Sequence, residues 1–295
     1  MDKLPMPAYH LLPGGLVSYH PYIDTSRGCV YGCNFCSGPK YWRKIIRTRS
    51  FDNFYQEIKL IKSLMGDYNF LHISDPMLGI TEKQIKIINS LRDEDHGLYF
   101  SCDIKANYVK KDLIKKMVES GIIVFSIGIE SLNNFALSLT NKGCTAELEI
   151  EACKVIKSFK NIFLKSYWIV GLPGENKKSL TYNNDQIYNL LKSKVVDQVC
   201  NHIFVPYPGT EFFDNHSYFG IDIKSRDWIH YEGRSYPVVY RLNELTADEI
   251  YDAFLKSNES ELKYYKEKFP LLLNENSNNE SYEDISFSKY KGRLI

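Results

Sequence analysis

The chain has 295 residues and a mass of 34.3 kDa, with 44% hydrophobic and 25% charged residues, the composition of a globular protein with one large core. Its 37 basic and 36 acidic residues leave a net charge of +1, so no overall field draws it to nucleic acid or an anionic membrane. No run approaches the roughly 18 apolar residues of a membrane span, and MDKLPMPAYH lacks a signal peptide's apolar stretch, so the cytoplasm is the expected location.

Residues 1–15 are proline-rich and linker-like. An apolar stretch over 16–23 predicts a first strand that runs into a cysteine-rich loop. Phe54, Ile58, Ile61 and Leu64 follow at helical spacing, and a strand is predicted over 69–74. Helices over 85–91, 113–118, 146–159 and 180–191 then alternate with strands over 98–104, 122–129, 162–170 and 195–205. These are about six βα repeats of roughly 30 residues, the length of a βαβ unit. They predict a parallel sheet with helices outside it, open or rolled into a barrel. Past Pro206 the rhythm fails. Residues 207–242 are aromatic and irregular, Thr246 is placed to cap a helix over 247–269, and ENSNNESYED is too polar to fold. The expected organisation is a core over 16–210, an extension over 211–270 covering it, and a disordered tail over 271–295.

Seven cysteines in a chain of this size with no export signal read as reduced thiols rather than a disulfide framework. Three of them, Cys29, Cys33 and Cys36, are spaced C-x3-C-x2-C in TSRGCVYGCNFC. Random placement gives roughly 0.004 expected occurrences of that spacing. A structural zinc site takes four ligands, commonly as two separated pairs, and no second C-x-x-C or H-x3-H pair stands in the sequence. Three close thiolates suit three corners of a 4Fe–4S cube, leaving the fourth iron open to a small molecule. Gly28 and Gly32 let the backbone bend around it.

This motif, with Phe35 before its last cysteine, resembles the signature of the radical S-adenosylmethionine superfamily. The wider phrase TSRGCVYGCNFCSGPKYWRKIIRTRS resembles one branch more narrowly, whose larger members carry an N-terminal cobalamin-binding domain. A T-S-R-G-C opening and a following R-x-R pair, here Arg47 and Arg49, are common in that branch. LPMPAYHLLP resembles its linker before the barrel, and FSIGIES, YWIVGLPGE and FVPYPGTEFF resemble its later strand ends. The resemblance covers roughly residues 4–215.

It implies an α/β fold, a partial (β/α)6 radical SAM barrel like part of a TIM barrel, with the C-terminal α/irregular segment as an extension. It implies a 4Fe–4S cluster on the three cysteines, with S-adenosylmethionine bound to the open iron. An electron from a donor such as flavodoxin or ferredoxin would then release a 5′-deoxyadenosyl radical. That radical would take hydrogen from a small-molecule or peptide substrate. By the same resemblance, Phe35, Ser74, Asp75, Lys105, Glu130, Ser131 and Gly171 fall at cofactor-binding positions. Ser74 and Asp75 would meet the cofactor's amino group, or simply make a turn before Thr81. Lys105 would face its carboxylate as a point charge, or solvent. Glu130 and Ser131 would accept from the ribose or cap a helix. Gly171, in GLPGE, would bring the backbone to the adenine or only turn the chain.

Cys102 ends near the site on its strand and is a candidate to return a hydrogen atom to a substrate radical, as in radical epimerases. Cys144 and Cys153 read as packing or surface residues, and the run Lys40, Arg43, Lys44, Arg47, Arg49 lacks any nucleic-acid recognition motif. Epimerisation, elimination, oxidation or rearrangement leads the expected reactions. A cobalamin-dependent methylase using a separate corrin domain is the alternative, and an iron–sulfur electron carrier a third. With about fifteen residues before the first strand, the expectation is that this chain binds no cobalamin itself and adds no methyl group.

Overall fold

The computed structural model describes residues 1–16 and 21–268. Its elements are β1 (Tyr22–Ile23), β2 (Ser26–Arg27), α1 (Gly38–Trp42), β3 (Arg47–Thr48), α2 (Phe51–Met65) and β4 (Phe70–Ile73). There follow α3 (Glu82–Arg92), β5 (Tyr99–Ile104), α4 (Lys111–Glu119), β6 (Ile122–Glu130), α5 (Asn134–Leu139) and α6 (Ala146–Lys157). The chain continues through β7 (Phe163–Val170), α7 (Lys177–Lys192), β8 (Gln198–Ile203), α8 (Glu211–Asp214), β9 (Ile221–Ile223), β10 (Tyr240–Leu242) and α9 (Ala247–Lys268).

Among the described residues β1, β4, β5, β6, β7 and β8 form one parallel sheet in that order, open rather than closed into a barrel. Each strand pairs with the next in the sequence of repeats. Right-handed crossovers between such neighbours put every connecting helix on the same side of the sheet. The other face is left bare, and there alternate residues such as His72, Asp103, Lys165, Tyr167 and His202 stay partly exposed. The covered face is apolar. Leu71, Ile73, Phe100, Ile104, Phe125, Ile127 and Leu164 join Phe54, Ile58 and Ile61 of α2 and Ile114 and Met117 of α4 in one core.

Except at α1 and α4, the helices begin where a side chain satisfies free N–H groups. Thr81 and Gln84 make a reciprocal capping box at α3, and Thr246 and Glu249 do the same at α9. The second core joins Val170, Leu172, Phe204 and Phe212 to Tyr240, Ile250 and Phe254, so the C-terminal segment packs on the ends of β7 and β8. The first predicted strand shortens to β1, residues 17–20 lying outside the described residues, as does the predicted tail over 271–295. The antiparallel β2–β3 and β9–β10 pairs and the short α1, α5 and α8 were not predicted. Their two to six residues are too few to show a period.

Candidate active site

The cysteine loop is built from its opening threonine and serine. Asp75, just past β4, accepts from Thr25 N (2.6 Å), Thr25 Oγ1 (2.5 Å), Ser26 N (3.1 Å) and Ser26 Oγ (2.6 Å). Gln84 Nε2 adds a fifth bond at 2.9 Å and also donates to Met77 O. The carboxyl is fully buried, which raises its pKa, while these donors oppose the rise. Asp75 therefore clamps the loop, its two oxygens engaged by Thr25, Ser26 and Gln84.

From Ser26 the chain pairs with β3 and turns at Gly28, whose φ is +110°. A Cβ at Gly28 would collide with the carbonyl oxygen of Ile45, so only glycine passes there. Of the R-x-R pair, Arg47 is exposed, whereas Arg49 is buried against Glu57 and bonds Asn53 Oδ1 at 2.7 Å and Asn53 O at 2.9 Å. The far side of the loop is held by Asn34, whose N–H reaches Thr140 O at 2.8 Å and whose carbonyl accepts from Phe212 N at 3.0 Å. Asn141 Nδ2 bonds Gly32 O at 3.0 Å.

Cys29, Cys33 and Cys36 are free and at least partly accessible, while Cys102, Cys144, Cys153 and Cys200 are buried. Burial, and then the charge of Cys36, pushes the Cys33 thiol up to about 12. Burial also raises Cys36, the Gly38 N–H at 3.4 Å opposes it, and Cys29 and Glu130 raise it further. Three thiolates this close repel one another unless cationic metal lies among them. Among the described residues no three His, Cys, Asp or Glu side chains converge on a single-ion site. The donor set, three mutually interacting sulfurs on one glycine-turned loop, fits a 4Fe–4S cluster.

Beside the loop, at the C-terminal ends of β6 to β8, lies a cavity of about 280 Å³. Phe35, Glu130, Tyr167, Ile169, His202, Phe204 and Tyr207 line it. Glu130 follows a register shift between β6 and β7 and has φ +64°, an uncommon conformation for a residue with a side chain. Lys142 holds it. The Lys142 ammonium lies 3.3 Å from Glu130 and 2.8 Å from Glu149 and donates to Gly128 O. Burial would lower the Lys142 pKa, but the two carboxylates raise it overall.

The remaining predicted residues scatter. Ser74 bonds Asp24 and lines a separate cavity of about 270 Å³ with Tyr9, Tyr22, Arg27 and Arg49. Lys105 is buried, with its ammonium 4.1 Å over the Tyr31 ring, 2.7 Å from Asn107 Oδ1, and donating to Lys142 O. It stands beside the cysteine loop with its protons already engaged. Ser131 is fully buried and donates to Glu175 Oε1 at 2.7 Å. Gly171 donates to Glu175 Oε2 at 2.9 Å and accepts from Tyr240 at 2.7 Å, and Tyr240 and Ile250 fill the space a side chain would need. Both residues are engaged within the turn through Glu175. Cys102 is 0% exposed and lies among Phe100, Ile104 and the helices, across β5 from Ser101 and Asp103. Strand alternation turns it away from the open face, so it does not reach a substrate. The structure brings Phe35 and Glu130 together at the cavity beside the cysteine loop. Sequence reasoning missed Tyr167, His202, Phe204, Tyr207 and Lys142, although Lys165, Tyr167 and Ile169 at every second position of β7 carried the signal.

Residues 23–181 match the model of the radical SAM superfamily, and the chain belongs to that family. It is 27% identical over 218 residues to an uncharacterized methyltransferase of Pyrococcus horikoshii, covering 72% of this chain and 46% of that protein. It is 23% identical over 241 residues to the bacteriochlorophyllide d C-12(1)-methyltransferase of Chlorobaculum tepidum, covering 79% and 50%. It is 26% identical over 193 residues to the anaerobic magnesium-protoporphyrin IX monomethyl ester cyclase of Rubrivivax gelatinosus, covering 64% and 34%. The chain thus spans half the length of these curated relatives or less. The fold is shared with the radical S-adenosylmethionine methyltransferase TsrM from Kitasatospora setae, at a TM-score of 0.68 and 12% identity over 96% of this chain and 60% of that one. The relatives named here are methyltransferases and a cyclase. Epimerisation and elimination, expected first from the sequence, gain no support, and methyl transfer, the chemistry of the alternative reading, stands closer.

Proposed function

We propose that this chain is the radical-generating part of an enzyme that performs methyl transfer, or a related carbon-bond-forming reaction, on a small molecule. The observation that carries the reading is the meeting of three free cysteines on one clamped loop with an aromatic-walled cavity holding Glu130. Cys29, Cys33 and Cys36 would hold the cluster, which when bound supplies the electron for reductive cleavage of S-adenosylmethionine. Phe35, Ile169 and Phe204 offer apolar faces to a flat base, and Glu130, held by Lys142, offers acceptors to vicinal hydroxyls. The aromatic walls exclude water from the reacting carbon. No residue of this chain is assigned to a corrin.

Anaerobic reconstitution should load about four irons and four sulfides per chain. Cys29→Ala, Cys33→Ala and Cys36→Ala should each abolish the broad visible absorption. With dithionite the loaded enzyme should release 5′-deoxyadenosine and methionine, and S-adenosylhomocysteine should accompany them once hydroxocobalamin is added. A single bound zinc without iron would overturn the cluster assignment. Release of 5′-deoxyadenosine alone, unchanged by the corrin, would overturn methyl transfer.

A further inference from the structure

The open face of the sheet carries a second polar group that the proposed cofactor site does not use. His72 and Ser101 are register partners on β4 and β5, and His72 Nδ1 lies 2.7 Å from Ser101 Oγ. One step along, Asp103, Ser126 and Lys165 stand in register across β5, β6 and β7. Asp103 Oδ2 is 4.0 Å from His72 Nε2, and its register partner Ser126 lowers the pKa that burial raises. The inner layers of a parallel α/β barrel are ordinarily filled with branched apolar side chains. Here they are polar and reachable, the His72 and Asp103 side chains keeping 25% and 37% of their exposure.

Lys165 is half-buried, and among the described residues no carboxylate lies within ion-pair distance of its ammonium. Asp103 acts on it only from beyond that distance, so a half-buried ammonium gains from a ligand anion in direct contact. A single lysine, with no arginine fork and with Asp103 nearby, is too little positive charge for a phosphate and enough for one carboxylate. Tyr22, whose ring meets His72 edge-on at 5.2 Å, and the register pair Phe70 and Tyr99 offer apolar surface next to the polar row.

We propose that this row seats the carboxylate of a small organic acid, with Lys165 as its counter-ion and Ser126 and the His72–Ser101 pair as polar contacts. Lys165 is two residues before Tyr167 on β7, a rise of about 7 Å, so a molecule anchored there reaches the cavity that Tyr167 and Glu130 line. As a statement about the enzyme's substrate, the inference rests on the reading of that cavity as the cofactor site.

The test uses phenylacetate and its neutral amide, phenylacetamide, as probes of the reconstituted protein by ligand-observed NMR. Phenylacetate should bind saturably, and phenylacetamide about tenfold more weakly or worse. Lys165→Met should lose the preference for the acid and Lys165→Arg should keep it, with Lys165→Gln replacing Lys165→Met if circular dichroism shows the latter misfolded. Equal binding of acid and amide, an unchanged preference in the neutral variant, or no saturable binding to folded protein would overturn the proposal. Reductive cleavage of S-adenosylmethionine by the unaltered enzyme is measured alongside. Its failure would sink the cofactor reading and leave the binding result standing.

Discussion

Glu175 shows how a buried charge can serve the backbone instead of the chemistry. Ser131 Oγ, Asn183 Nδ2, Gly171 N and Leu172 N all donate to it, at 2.7, 2.8, 2.9 and 3.0 Å. Burial raises its pKa to about 7 against those donors. Glu175→Gln would point an amide N–H₂ at two of them, so a loss of about 1–3 kcal/mol is expected, read from urea unfolding. His72 and Asp103 form a second residue-scale case. Burial lowers His72 from 6.5 to about 4 and raises Asp103 from 3.8 to about 6. For His72 the folded state binds fewer protons than the unfolded, so its contribution is complete above about 6.5 and is lost as pH falls towards 4. For Asp103 the folded state binds more, so its contribution is complete below about 3.8 and is lost as pH rises through 6. The two slopes oppose each other across that interval. In Asp103→Asn, stability should climb with pH there, and in His72→Gln it should fall. Urea midpoints along a pH series measure both, and parallel slopes in the two variants would contradict the assignment.

At the scale of elements, the cysteine loop is folded by contacts on its flanks. Asp75 and Gln84 tie its start to β4 and α3, and Gly28 presses it against the β3 arm. Gly143 also has positive φ, +73°, but open space where a Cβ would stand. Gly143→Ala should therefore carry only the cost of the backbone conformation, about 1 kcal/mol, while Gly28→Ala adds a collision and should cost about 2 kcal/mol or more. Iron bound after reconstitution should drop in Gly28→Ala and hold in Gly143→Ala. An equal effect of the two would show that the contact with Ile45 is unimportant. This architecture also explains which motif residues could be read. T-S-R-G-C announced a loop, but the partner of its threonine and serine lies about fifty positions on, and sequence alone cannot distinguish a carboxylate aimed at a ligand from one aimed at neighbouring backbone.

Over the whole molecule, loop, cavity and polar row all belong to the face that the crossover helices leave bare. Metal that binds the folded loop and not the unfolded chain must stabilise the fold by mass action. Loading with iron and sulfide should therefore raise Tm, and Cys36→Ala should remove the rise. No change in Tm on loading would mean that the loop binds metal equally well unfolded.

The sequence by itself determined the alternation of strands and helices, the helix start at Thr246, and the cysteine loop, because each rests on periodicity or spacing between near neighbours. Phe35 and Glu130 were legible for the same reason, one inside the motif and the other at a strand's end. Only the tertiary structure decided the roles of Asp75, Ser131, Gly171 and Cys102. Their strand-end and mid-strand positions look alike in sequence, yet one face of the sheet meets helices and the other stays open. Which face a side chain enters, and which distant donor it meets there, follows from strand register and helix packing over separations of about fifty residues. No local pattern of residues encodes those contacts.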